Sequence, residues 1–338
     1  MTFYLLAAAL CLSVWFLVLL GASVACQAAS RLCRPWLDSS TPRSWSQQSW
    51  SQRSRAGFFF AVRFLPVLLS AVVALGIALP SFLKLEPRST AEAIGPKLTT
   101  LALAGAMVLL AMALRAVRLL HATARIQKQW LRSAREVRVE DCKVPVYTSD
   151  ASPALLSVTG MVRPKVFVAN AVTQILSAEE LSAALAHEMA HVRSLDNLKQ
   201  LFLKTTRPPA WLDRFLAGNA DAGWAMTSEV AADEDALDTG VSVLDLSSAL
   251  VKIGRLQGSA TGLPIIASHF IPEGLDSCMQ LRVAHLERRL MEGTRKKNQR
   301  SRLLVATVSC IVVAALVYAG CISIVLPWVH EMLEMIVR

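Results

Sequence analysis

Three residues within five positions of this sequence have types and spacing that could do chemistry: His187, Glu188 and His191, in the run His187-Glu-Met-Ala-His191. The run lies in a segment that reads as a helix. Ser177 followed three residues later by Glu180 is a capping box, and Leu181, Ala184, Leu185 and Met189 recur at helical spacing. Histidines four residues apart then project from one helix face, where two neutral imidazoles can hold a zinc ion. The carboxylate of Glu188, one position past the first histidine, is placed to act as a general base without ligating the metal. The competing reading is an ordinary polar helix face. Small apolar residues around both histidines oppose it, because a buried His-Glu-His group without a metal needs its polar atoms satisfied some other way.

A zinc site needs a third protein ligand. One solution places a glycine three and a histidine six residues after the second histidine. Ser194 and Asn197 stand there and exclude it. The remaining common solution is a carboxylate from a separate helix. Ser228-Glu229-Val-Ala-Ala-Asp233 offers one: Glu229 and Asp233 share a face at i, i+4, and Ala232 and Ala236 permit close helix approach. Glu229 is therefore the expected ligand. Asp233 is expected to accept a hydrogen bond from the free ring nitrogen of a ligand histidine and so fix its tautomer. An acidic, solvated helix face is the alternative for this segment.

The pairing of His187-Glu-Met-Ala-His191 with Glu229 and Asp233 resembles the membrane-embedded gluzincins, both the CAAX-type prenyl-protein endopeptidases and the BlaR/MecR-type antirepressor metallopeptidases. Two features point to the latter. Gly160 and Pro164 with the short strand after them are similar to the segment preceding the metal helix in that family, and His191-Val-Arg-Ser-Leu-Asp196-Asn resembles its continuation. The resemblance covers roughly residues 143–290 plus the membrane topology. It implies an α+β zincin domain, hydrolysis of peptide bonds with one Zn²⁺ per chain, and a polypeptide substrate. It also implies that one strand is an exposed edge beside the metal where an extended peptide adds; Lys165, Val166, Phe167, Val168 and Ala169 are the candidate strand. Antirepressors cleave a cytoplasmic transcriptional repressor or themselves, so that is the substrate class implied here. The resemblance departs from the best-known members in one respect: with only residues 328–338 after Pro327 here, no external penicillin-binding sensor is expected. Ser268-His269 and Leu281-Arg282 faintly resemble elements after the third ligand in CAAX-type relatives; either His269 or Arg282 could stabilise an oxyanion or brace Glu229.

Composition places these residues in a membrane protein. Hydrophobic residues make up 54% of the chain while the net charge is +10, a combination that requires apolar and basic residues to be segregated. They are. Residues 3–25, 64–83, 98–114 and 303–327 contain no charge and are each about long enough to cross a bilayer as a helix. Pro66, near the start of the second span, sits where breaking the helix costs little. Arginines and lysines crowd residues 27–57, the stretch after the third span and the stretch before the fourth, whereas the 84–97 loop is short and mixed. The positive-inside rule then sets the topology. The fold class expected is a mainly α integral membrane protein of four transmembrane helices, with a cytoplasmic α+β gluzincin domain inserted between helices 3 and 4. In domains, 1–120 holds three spans, the third running to 120, and the basic loop 27–57; 121–302 is the peptidase; 303–338 holds the fourth span and a short tail. Both termini lie outside the inner membrane.

Arg115, Arg118, Arg125, Lys128, Arg132 and Arg135 repeat at intervals that draw one cationic stripe along a helix leaving the bilayer, either beside anionic headgroups or simply solvated. No nucleic-acid module is recognisable, so no direct nucleic-acid binding is expected. The seven cysteines are expected to be free thiols, and His285 is expected to be surface or interfacial. The reading is a membrane zinc endopeptidase acting in regulated signalling. Housekeeping or CAAX-type proteolysis is one alternative, and a non-catalytic scaffold with a structural zinc site is another; an intact Glu188 opposes the scaffold, since a structural site has no use for a base.

Overall fold

The computed structural model describes residues 2–37, 51–86, 95–139, 142, 144–149, 155–216, 218, 220–256, 267–269, 276–292 and 331. The chain is mostly helical, with a small mixed sheet. Helix α1 (Thr2–Leu37) leads. A second rod runs Gln52–Leu85 as α2 (Gln52–Ala71), a π-helical turn Val72–Ala78 and α3 (Leu79–Leu85), and α4 (Pro96–Ser133) follows. These three rods are long and apolar enough to cross a membrane. The fourth expected span, 303–327, lies outside the described residues. Where α1 and α4 cross, Gly105 is required: a Cβ there would lie 2.6 Å from the Leu12 carbonyl.

The rods outrun the charge-free segments that announced them. Helix α1 continues into the expected 27–57 loop as far as Leu37, and α2 starts at Gln52, capped by the Ser51 hydroxyl. Apolar length measures only the hydrocarbon crossing; helical hydrogen bonding continues wherever packing and caps support it. Pro66 does not break the helix, which runs through it. The irregularity comes later, at Val72–Ala78, just before Pro80 in the first turn of α3. A proline ring donates no hydrogen bond and crowds the preceding turn, and a widened turn accommodates it.

After α4 come strands β1 (Arg135–Val137), β2 (Val146–Ser149), β3 (Leu156–Thr159) and β4 (Lys165–Ala169). The remaining elements are α5 (Asn170–Ile175), α6 (Ala178–Arg193), α7 (Asp196–Thr206), α8 (Ala210–Leu216), α9 (Ala220–Leu237), α10 (Val243–Leu256), β5 (Ala267–His269) and α11 (Asp276–Glu292). The sheet order is β1-β2-β4-β3-β5, with only β2 and β4 parallel.

That order corrects one expectation. Lys165–Ala169 is the central strand, hydrogen-bonded to β2 on one side and β3 on the other, so it offers no free edge to a peptide. Its side chains agree. Val166 and Val168 enter the main core with Ala183, Ala184, Leu246, Leu250 and Ile253, while Phe167 points the other way against Trp130 of α4. A strand covered on both faces reads as a continuous apolar run, and such a run marks the interior of a sheet. Among the described residues the edges are β1 and β5.

Candidate metal centre

The capping box expected at Ser177 is formed: the Ser177 hydroxyl accepts from Glu180 N–H, and Glu180 accepts from Ser177 N–H. Glu180 also binds Ser248 and Lys252 of α10, so the start of α6 is tied to the core by a charged anchor. Lys252, Ser248 and Ser177 together hold the Glu180 carboxyl at about 2. Seven residues past Glu180, His187 begins the group His187, Glu188 and His191, all almost fully enclosed.

Helix α9 packs across α6 and brings Glu229 to the two histidines. His187 Nε2 lies 3.2 Å from His191 Nε2 and 3.4 Å from Glu229 Oε2, and His191 Nε2 lies 3.5 Å from Glu229 Oε1. One donor atom from each residue thus falls within 4.8 Å of the others, a group that can share one metal ion. The opposite ring nitrogens are occupied by carboxylates. His187 Nδ1 is 2.8 Å from Asp233 Oδ1, and His191 Nδ1 is 2.8 Å from Asp196 Oδ2. This is the arrangement that fixes ligand tautomers: each Nδ1–H donates outward, which leaves Nε2 lone pairs facing inward.

Asp196 is a residue whose role sequence reasoning missed. It stands in the quoted motif without an assigned task, since nothing in its spacing shows that the chain reverses there. Helix α6 ends at Arg193, and Leu195 takes a left-handed conformation with φ +57° before α7 begins. That turn folds Asp196 back under His191, and Lys199 closes on its other oxygen at 2.9 Å. Asn197 donates to the Val158 and Gly160 carbonyls, anchoring the same turn to the sheet.

Arg282 of α11 completes the base of the site. It is 1% exposed, donates Nε and Nη2 to both oxygens of Asp233 at 2.8 and 2.7 Å, and reaches Glu229 Oε2 with Nη1 at 3.4 Å. Of the two roles anticipated for it, this geometry is the bracing one. His269 lies in β5, opposite Ser157. Its side chain is outside the described residues. His285, expected at the surface or an interface, is partly buried between α11 and α9, with Nε2 3.3 Å from Glu234.

The charges explain the titration of the cluster. Burial disfavours every charged form here, yet Glu229 and Asp196 outweigh it and lift His191 well above the usual histidine range. Glu229 is likewise held far below the carboxylate range by His191, His187 and Arg282, and Asp233 at about 2 by Arg282 and His187. A pocket whose carboxylates raise the proton affinity of an imidazole also stabilises any other cation at its centre, so protons and a metal compete for the same nitrogens.

The family model of the BlaR1 peptidase M56 matches residues 7–243, more than half of the chain and the whole of α6 and α9. The chain belongs to the BlaR1-type M56 peptidase family. A search of curated proteins found no match. As an M56 member the chain is a membrane metallopeptidase by family, and its three apolar rods provide the membrane part. Helix α11 lies beyond the matched span, so the place of Arg282 in this peptidase rests on the geometry alone.

Proposed function

We propose that this M56 peptidase is a zinc metalloendopeptidase that hydrolyses polypeptides at the cytoplasmic face of the membrane, with His187, His191 and Glu229 as ligands and Glu188 as general base. The observation that carries the reading is the spacing of the three donors. Bonds of about 2.0–2.1 Å to a tetrahedral ion place neighbouring ligand atoms roughly 3.3 Å apart. The separations here are 3.2, 3.4 and 3.5 Å. Two imidazoles and one carboxylate leave a fourth position, as catalytic rather than structural zinc sites do. When bound, the ion supplies positive charge that polarises the scissile carbonyl and makes water a better nucleophile.

The protein's own residues do the rest. Glu188 adjoins His187 on α6, takes the proton of the attacking water and returns it to the leaving amine. Asp196 and Asp233 hold the ligand rings, and Arg282 keeps Asp233 and Glu229 ionised. The substrate strand is assigned to the edge of β5 that pairs with no strand among the described residues, since α6 packs against β3 and β5.

The cytoplasmic assignment is supported by charge. The C-terminal end of α1, the N-terminal end of α2 and the C-terminal half of α4 all touch the peptidase region, and these are the arginine-rich ends. Arg63 of α2 binds Asp221 of α9 and the Thr206 carbonyl, and Arg53 binds Asp235 and Ser194, so the second rod is docked along the helix that carries Glu229. A regulatory role follows from the antirepressor resemblance: a cytoplasmic repressor, or the protease's own chain, is the substrate.

The test compares proteomes of cells carrying Glu188→Gln with wild type. Persistence of one repressor or of the uncleaved protease is the expected result. Broad accumulation of membrane proteins would favour housekeeping, and no change in any protein, with purified wild type also inert, would overturn the peptidase reading.

A further inference from the structure

Helix α4 carries a charge pattern that the metal centre does not use. Arg118, His121, Arg125, Lys128 and Arg132 are all exposed, and the helix contains no carboxylate. Thr123 and Trp130 mark its packed side. At 100° per residue, the five basic positions fall roughly 130–170° around from that side, facing directly away from the protein. Among the described residues none of Arg118, Arg125, Lys128 and Arg132 forms an ion pair. Like charges one and two turns apart repel and weaken a helix, so the stripe is a standing cost unless an anion meets it.

Lipid headgroups account for only its first part. Helix α4 has 38 residues, about 57 Å at 1.5 Å each, against about 30 Å of hydrocarbon. Its apolar half ends at Leu114, so on the order of 25 Å of cationic helix stands clear of the bilayer. Screening at physiological salt acts over about 8 Å. Arg118 and His121 lie within reach of headgroups, but Lys128 and Arg132 stand beyond it.

The stripe does not stop where the helix does. After Ala134 the chain enters β1, an edge strand whose three residues are exposed and which pairs only with β2 among the described residues. Arg135 and Arg138 extend the positive charge along that edge, and Glu136 is the one acid between residues 115 and 138. An open strand edge presents N–H and C=O groups that only another polypeptide backbone matches in register. A second copy is a poor occupant, since its own β1 carries the same arginines. We propose that the outward face of α4 and the free edge of β1 together form a docking surface for an acidic, extended segment of a partner polypeptide. It lies at the opposite edge of the sheet from β5, four strand spacings or about 19 Å away, so it binds a partner without filling the metal site.

The experiment uses the full chain in phosphatidylcholine nanodiscs and a fluorescent peptide of alternating glutamate and serine, with binding read by anisotropy. Binding at low salt is expected, weakened about tenfold or more by the combined Arg125→Glu, Lys128→Glu and Arg132→Glu changes and by high salt. N-methylating alternate peptide nitrogens should cost a similar factor, because it blocks strand pairing while leaving the charge. Metal content of the charge-reversed protein should match wild type, and the milder Arg125→Gln, Lys128→Gln, Arg132→Gln form should fall between. Equal binding of the N-methylated peptide, or tighter binding of single-stranded DNA, would overturn the proposal. So would loss of peptide binding when phosphatidylserine is added to the nanodiscs, which would mark the stripe as a lipid surface. A protein that binds the peptide but cleaves no polypeptide keeps this surface and loses the protease reading; one that cleaves but does not bind does the reverse.

Discussion

Replacing Arg282 with methionine isolates the contribution of the base of the site. The side chain is fully enclosed and makes two short charged hydrogen bonds to Asp233 and a longer one to Glu229. Methionine keeps much of the volume and removes the charge, which leaves two carboxylates buried beside each other without the guanidinium that contacts both. Removing one partner of a buried ion pair costs about 3–5 kcal/mol. Two charged hydrogen bonds at about 1.5–3 kcal/mol each lead to the same range. For a region of this size that is a fall of roughly 6–20 °C in apparent Tm, measured by near-UV circular dichroism in detergent. Arg282→Lys keeps the charge but not the two-pronged geometry and should lie between. The coupling can be checked directly: once Asp233→Asn is present, Arg282→Met should cost much less than it does alone, because the buried charge it compensates is gone. A Tm within about 2 °C of wild type for Arg282→Met would refute the reasoning.

His187→Ala, His191→Ala and Glu229→Ala should each remove bound metal from the purified protein, measured by elemental analysis; metal retained at full stoichiometry in Glu229→Ala would mean the third ligand is elsewhere. Asp196→Asn should keep the ligands but weaken metal affinity by roughly ten- to a hundredfold in chelator competition, the usual effect of losing a carboxylate behind a ligand histidine. The Glu180 carboxyl, held at about 2, supplies stability that is fully present above its ordinary value and is lost as pH falls from about 4 toward 2. Glu180→Gln should therefore flatten that part of the stability–pH curve, and an unchanged acid limb would show that the anchor contributes nothing.

Much of the site was legible in the linear chain because its parts are local. His187 and His191, like Glu229 and Asp233, stand four positions apart, and one helical turn decides that each pair shares a face. The capping box at Ser177 and Glu180 is local for the same reason, and so are the apolar rods, whose composition alone demands a membrane. Arg282 was visible only as one of two roles, since bracing Glu229 depends on where α11 lands 53 residues later. Asp196 escaped because its task requires a left-handed residue at Leu195, a conformation that leucine rarely takes and no spacing announces. The central strand was misread as an edge for a related reason. A run such as Lys165-Val-Phe-Val-Ala says that both faces are covered, but which strands lie on either side is set by pairing with β2 and β3, contacts made through backbone groups that every residue carries alike. Helix periodicity and charge placement are properties of neighbours along the chain and are written there; strand order and the meeting of α6, α9 and α11 are decided only when the chain closes on itself.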